Sequence, residues 1–222
     1  MRRTFLALAA LAALALLAFG LWPEIDLELA RRFHGDAGFI GGSALAKAAR
    51  RFFNVTPFVV LAGMALLYAL RRFGFRTPYA PSGRAVVFLV LTMALGPGLI
   101  VNLGLKDHSH RPRPINTQDF GGPQEFRPWY RFDGGCAKNC SFVSGEAAEA
   151  FWMVAPASLA PPPWRPLAIG AALAFGVAGS ALRMAFGAHY LSDVTLAGLI
   201  ATMVVVGVGM AMAGRGGGKA WI

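Results

Sequence analysis

Apolar residues gather into about six runs along the chain, roughly 4–22, 53–70, 85–105, 144–160, 167–183 and 192–213, with short polar stretches between them. A helix needs ~20 predominantly apolar residues to cross a bilayer. The pattern therefore predicts an all-α, polytopic protein built as a bundle of six transmembrane helices. The fourth run is the shortest. It carries Pro156 and stops at Pro161-Pro162-Pro163, so its span is expected to tilt little or to be completed by non-helical residues at its start. No internal repeat or long low-complexity segment interrupts residues 1–222, apart from the tail Arg215-Gly216-Gly217-Gly218-Lys219. A single membrane-embedded domain is the expected organisation.

The first run has two readings. Met1-Arg2-Arg3 followed by an Ala/Leu stretch ending in Ala18-Phe19-Gly20 resembles a secretory signal with a small-residue cleavage site. Its ~19 apolar residues exceed the usual signal core, which favours a retained helix. In either case the segment after Trp22 is expected outside.

Composition agrees with the membrane reading. The chain is 56% hydrophobic and 14% charged with a mean hydropathy of +0.52, which cannot clothe a soluble core. A net charge of +10 would suggest nucleic acid in a soluble protein, but no polar domain with a basic, aromatic-interleaved stripe accompanies it. Anionic lipid headgroups are the expected partners, and oligomeric state is not legible. With the amino terminus inside, only a minority of the 21 Lys and Arg fall on the cytoplasmic side, against the positive-inside rule. All 11 acids lie in or beside outward segments, and several outward cations are candidates for chemistry, so function is expected to have overridden topology. An inner-membrane protein with its site facing the periplasm follows.

Three segments on that face carry candidate chemistry. Lys106-Asp107-His108-Ser109-His110-Arg111-Pro112-Arg113-Pro114 brings several cations out of the bilayer together, as phosphate recognition requires, although interfacial snorkelling gives the same pattern. In Ser141-Phe142-Val143-Ser144-Gly145-Glu146, Ser144 is a good N-cap and Gly145 lets an anion approach the first free N–H groups of a helix. In Arg183-Met184-Ala185-Phe186-Gly187-Ala188-His189-Tyr190-Leu191-Ser192-Asp193, His189 and Asp193 stand one helical turn apart. A carboxylate on one ring nitrogen would fix the tautomer and leave the other as nucleophile or base. Gly187 permits a turn that returns Arg183 to the same place.

These segments resemble the signature of the type-2 phosphatidic acid phosphatase superfamily, which also includes vanadium haloperoxidases. Lys106 and Arg113-Pro114 match its first block, Ser144 and Gly145 its second, and Arg183, His189 and Asp193 its third. The resemblance implies that His189 attacks phosphorus and forms a phosphohistidine, and that Asp193 orients it. It further implies that Lys106, Arg113, Ser144, Gly145 and Arg183 hold the phosphate, with no metal or other cofactor. An H-x-H metal site at His108 and His110 is the weaker alternative.

Val143, Glu146 and Leu182 stand where the family has Pro, His and Ser. The second departure matters most, because the family's His protonates the leaving oxygen; Glu146 is the candidate replacement, with His108 or His110 as others. The Ser-Phe-Val-Ser-Gly-Glu form is more similar to bacterial lipid A phosphatases than to undecaprenyl pyrophosphate or phosphatidylglycerophosphate phosphatases. An inactive lipid-binding relative and a transporter remain as other classes, although a transporter would place its ionisable residues inside the spans. The connection 115–140 interleaves Phe120, Phe126, Trp129, Tyr130 and Phe132 with Arg127, Arg131 and Lys138, which suits either an interfacial lid or a loop resting on the membrane. Cys136 and Cys140 can form a short disulfide if that connection is periplasmic; otherwise they are free thiols.

Overall fold

The computed structural model describes residues 1–77 and 80–214, so the expected tail Arg215–Lys219 lies outside the described residues. Helix α1 (Arg2–Leu21) is followed by the short helix α2 (Glu24–Arg31), which starts after Pro23 with Glu24 and Asp26 in its first turn, where acids favour a helix dipole. A small hairpin, β1 (His34–Gly35) and β2 (Gly38–Phe39), pairs antiparallel and leads into α3 (Ala44–Arg72). Helix α4 (Gly83–Met93) continues as a π-helical stretch through Ala94–Lys106. After the long connection come α5 (Gly145–Trp152), α6 (Val154–Ser158), α7 (Arg165–Ala185) and α8 (Leu191–Gly214). Ser43, Ser82 and Ser144 each accept an N-terminal backbone N–H of α3, α4 and α5, and caps of this kind are typically worth ~1 kcal/mol.

Among the described residues, five helices are long and apolar enough to cross a membrane: α1, α3, the α4–π unit, α7 and α8. The expected fourth span is instead the broken pair α5–α6, interrupted at Met153. Covering 145–158, it rises only about 21 Å at 1.5 Å per residue, short of the ~30 Å hydrocarbon layer. Its surroundings explain how so short a segment persists. Ala147, Ala148, Ala150, Trp152 and Ala155 are fully buried, because α5 packs against α7, α8 and the π-helical stretch. Protein rather than lipid surrounds it. The Trp152 indole donates to Thr92 Oγ1 at 2.9 Å, which satisfies a polar atom that would be costly to leave unpaired here.

The outer helices have the opposite character. Leu6, Leu11, Leu14 and Leu17 on α1, and Phe52, Val55, Val59 and Leu66 on α3, point outward and are exposed, a surface suited to acyl chains and unsuited to water. Helix α3 also starts nine residues before the apolar run at 53. Its 29 residues extend about 43 Å, so its first turns, with Lys47, Arg50 and Arg51, reach past the hydrocarbon layer.

Candidate active site

One end of the bundle gathers the ends of several elements. The π-helical stretch finishes at Lys106, and α5 begins at Gly145 behind its Ser144 cap. Helix α7 delivers Arg183 in its last turn, and α8 opens with Asp193 in its first. Between α7 and α8 the chain reverses at Gly187, whose φ is +62°. A side chain there would be strained and would strike the Phe39 ring. The reversal is what brings Arg183 back beside the start of α8, and the Gly187 carbonyl accepts Ile115 N–H at 2.9 Å.

His189 is 1% exposed. Its Nδ1 lies 2.7 Å from the Ser141 carbonyl oxygen and 3.7 Å from Asp193 Oδ2. Sequence reasoning assigned the carboxylate as the ring's partner, whereas the nearer acceptor is a backbone carbonyl that side-chain patterns cannot reveal. Facing two acceptors, Nδ1 must carry the hydrogen, and the neutral ring therefore keeps its lone pair on Nε2. Burial pushes the imidazole down to about 4, against the pull of Asp193, so it is neutral at physiological pH. Asp193 is itself saturated. Its Oδ2 accepts Tyr190 N–H at 2.8 Å and the Ser141 hydroxyl, and its Oδ1 accepts Arg111 Nη1 at 2.6 Å.

Glu146 forms a bidentate ion pair with Arg50, with Nη2 to Oε1 at 2.6 Å and Nε to Oε2 at 3.1 Å. Arg183 Nη2 lies 3.4 Å from the same carboxylate. Both guanidinium groups also lie over the Phe186 ring, at 5.6 and 5.8 Å. Lys106 lies within electrostatic reach of Arg113 and Arg183, and both arginines act on His189. Arg113 is steadied by Asn139, whose backbone and side-chain oxygens accept its Nη2 at 2.9 and 3.0 Å. A Cβ on Gly145 would collide with Asn102 Oδ1, so glycine is what allows the π-helical stretch to approach the start of α5. The structure thus brings all eight sequence-identified residues, Lys106, Arg113, Ser144, Gly145, Glu146, Arg183, His189 and Asp193, to this one end.

Sequence reasoning missed Arg50, Asn102, Asp26 and Arg111. Arg50 lies 96 residues from Glu146, outside every motif. Arg111 stood inside the quoted cation cluster without a role, and Asp26 pairs with it across 85 residues. In the sequence Arg111 is one arginine among several, and only its complete burial singles it out.

The remaining expectations concern the connection 107–144. His108 is exposed, and His110 Nδ1 lies 3.0 Å from the Cys136 carbonyl. Cys136 and Cys140 are disulfide-bonded, with Cα atoms 5.7 Å apart. The aromatic residues divide. Phe126 packs edge-on to Tyr190, Phe120 joins His34 and Phe39, and Trp129 donates to the Leu16 carbonyl of α1 at 3.2 Å. Tyr130 and Phe132 remain exposed.

Membrane-length helices around a buried imidazole, with cations and a capped helix start at one end, mark a membrane-type helical protein with a cation cluster suited to an anion. The chain belongs to the PAP2 superfamily, which residues 85–215 match. It is 34% identical over 197 residues to the lipid A 4'-phosphatase of Francisella tularensis subsp. novicida, a match covering 84% of this chain and 87% of that protein. It is 35% identical over 214 residues to the lipid A 4'-phosphatase of Rhizobium leguminosarum, covering 86% and 88%. The Rhizobium etli lipid A 4'-phosphatase is 36% identical over 213 residues, covering 86% of this chain and 80% of that protein. No solved structure matches the chain.

Proposed function

We propose that this chain is a multi-pass bacterial inner-membrane lipid phosphatase that removes a phosphate monoester from a lipid A-type substrate at the periplasmic face. The observation that carries the reaction is the His189 Nδ1 contact to the Ser141 carbonyl, 2.7 Å, which leaves Nε2 as a free nucleophile among Arg113 and Arg183. The substrate class rests on the three lipid A 4'-phosphatases that resemble the chain over most of its length. In the proposed topology α5–α6 is the fourth of six crossings, shortened because it is enclosed by protein. The Cys136–Cys140 disulfide suits an oxidising periplasmic face.

In the first half-reaction His189 Nε2 forms a bond to phosphorus as the bond from phosphorus to the lipid oxygen breaks. Lys106, Arg113, Arg183 and the N–H groups at the start of α5 stabilise the phosphoryl oxygens. The substrate enters as its phosphate monoanion; as it takes over the guanidinium groups that hold Glu146, the freed carboxylate picks up that proton and passes it to the leaving lipid oxygen. In the second half-reaction water attacks phosphorus, Nε2 leaves, and Glu146 takes the proton from that water and hands it to the departing phosphate. The cycle converts lipid phosphate and water into lipid alcohol and inorganic phosphate, with Glu146 restored. The protein's own cations do the work that metal ions do in other phosphoryl-transfer sites.

Phosphate release from lipid A in detergent micelles tests the reading, with phosphatidylglycerophosphate and undecaprenyl pyrophosphate as competing substrates. Preferential release from lipid A, undiminished in EDTA, is expected. Preference for either competitor would reassign the substrate, and no release from any would leave a lipid-binding relative.

A further inference from the structure

Arg111 is wholly buried, yet nothing in the proposed cycle uses it. Its Nη1 donates to Asp193 Oδ1 at 2.6 Å and Ser192 Oγ at 2.8 Å. Its Nη2 donates to Asp26 Oδ2 at 2.7 Å, and its Nε to the Arg127 carbonyl at 2.8 Å. The guanidinium lies 4.4 Å from the Tyr190 ring centroid and 5.5 Å from that of Phe126. Asp26 closes the network from α2. Its Oδ1 accepts Ser192 N–H at 2.8 Å and its Oδ2 accepts the Ser192 hydroxyl at 2.6 Å.

A buried arginine between two buried carboxylates is a demanding arrangement, since each charge loses its hydration and only good geometry offsets the loss. Here every nitrogen of the fork has a partner. The fork is also planar, so its two ends are rigidly related: where Asp26 holds Nη2, the position of Nη1 is set. Nη1 in turn fixes Asp193 Oδ1. The other oxygen of that carboxylate holds the Ser141 hydroxyl and stands beside His189 Nδ1, and the Ser141 carbonyl is the ring's direct acceptor. The chain of contacts runs from an extramembrane helix near the amino terminus to the imidazole.

We infer that Asp26 and Arg111 are positioning residues for the reaction: through Asp193 and Ser141 they hold the His189 ring in the orientation that aims Nε2 at the bound phosphate. The inference rests on the proposed phosphatase reading. Neither residue contacts the substrate phosphate, so their loss slows bond formation at phosphorus while leaving anion binding intact. That separates them from Lys106, Arg113 and Arg183.

Asp26→Asn keeps the side-chain shape and removes the charge that holds Nη2. Arg111→Lys keeps the charge and removes the fork. With lipid A in detergent micelles, kcat is expected to fall about tenfold for Asp26→Asn and about a hundredfold for Arg111→Lys, with KM and inhibition by inorganic phosphate within twofold of the unmodified protein. Phosphohistidine formation in a single turnover should slow by the same factors. The inference is overturned by a kcat within twofold of the unmodified protein in Asp26→Asn. It is equally overturned if KM and phosphate inhibition weaken along with kcat, or if neither variant yields folded protein, since the network then serves the fold alone. An unmodified protein that releases no phosphate from any lipid would overturn the phosphatase reading instead, and the two failures are distinguishable.

Discussion

Two charged regions lie within a few residues of each other in the site and are built on opposite rules. In the network of Asp26, Arg111 and Asp193, the three side chains are at most 1% exposed and every charge has a direct partner. Around Glu146 the side chains of Arg50 and Glu146 are 43% and 19% exposed, and Lys106, Arg113, Arg50 and Arg183 outnumber the acids they meet. A buried charge left unpaired would cost several kcal/mol, so in the first region each charge has a direct partner, the two carboxylates sharing one guanidinium. The second is cation-rich where solvent reaches Arg50 and Glu146, with Arg183 buried against the same carboxylate, and that surplus is what a phosphate would neutralise. Complete pairing marks the scaffold, and a surplus of cations marks the place for substrate.

Removing the nucleophile tests the comparison most severely. His189→Ala should abolish lipid phosphate release while the protein still inserts and folds, because the ring's role is chemical and its main tether is one backbone carbonyl. Release above a hundredth of the original rate would assign the reaction to another group.

Glu146→Gln comes next. It keeps the shape and removes the transferable proton, so lipid turnover should fall by roughly 10²–10⁴. An aryl phosphate, whose leaving group needs little protonation, should recover most of the loss. A small and equal loss on both esters would make Glu146 only an anchor for Arg50 and Arg183.

Arg50 is the residue on which the surplus of cations can be measured. Its pair with Glu146 is half open to solvent, so its contribution is discounted for screening. Arg50→Ala should lower kcat/KM on lipid A about tenfold, equivalent to about 1.4 kcal/mol, and should weaken inorganic phosphate inhibition. An unchanged phosphate inhibition constant would place Arg50 in the scaffold.

The difference between the regions also governs what the chain reveals of itself. The long apolar helices were legible because lipid imposes a simple pattern, and the segments that converge at one end were legible because their residues recur at short spacings, as Lys106 to Arg113 and Arg183 to Asp193 do. The fourth apolar run folds as the broken pair α5–α6. The run is real, but it is enclosed by protein, and hydropathy cannot tell a helix in lipid from one in a protein core. The fully paired network was invisible because its partners come from α2, the 107–114 segment and α8. A single aspartate at position 26, or one arginine among several, carries no local signature. The Ser141 carbonyl could not have been foreseen from side chains at all.

The smallest expected effect concerns the proton on His189. Burial holds its pKa down at about 4, with Asp193 opposing, below the ordinary value near 6.5. The sign follows from linkage: an unfolded imidazole takes up a proton as pH falls through 6.5, while the buried one resists until about 4. Its contribution to stability is therefore complete above pH 6.5 and is lost progressively between 6.5 and 4. Catalytically, the nucleophile stays available across that window. Phosphate esters titrate there too, so a rate profile would mix the two effects, and a direct measurement is preferable. Nitrogen NMR of histidine-labelled protein in nanodiscs, with the His189→Ala spectrum identifying the resonances among the 4 histidines, should show a neutral ring protonated at Nδ1 down to pH 5. That tautomer is the one the Ser141 carbonyl selects. A midpoint at or above 6.5 would mean that water or the neighbouring carboxylate, rather than burial, governs the ring. A hydrogen on Nε2 at neutral pH would remove the lone pair from the side facing the cations and, with it, the proposed nucleophile.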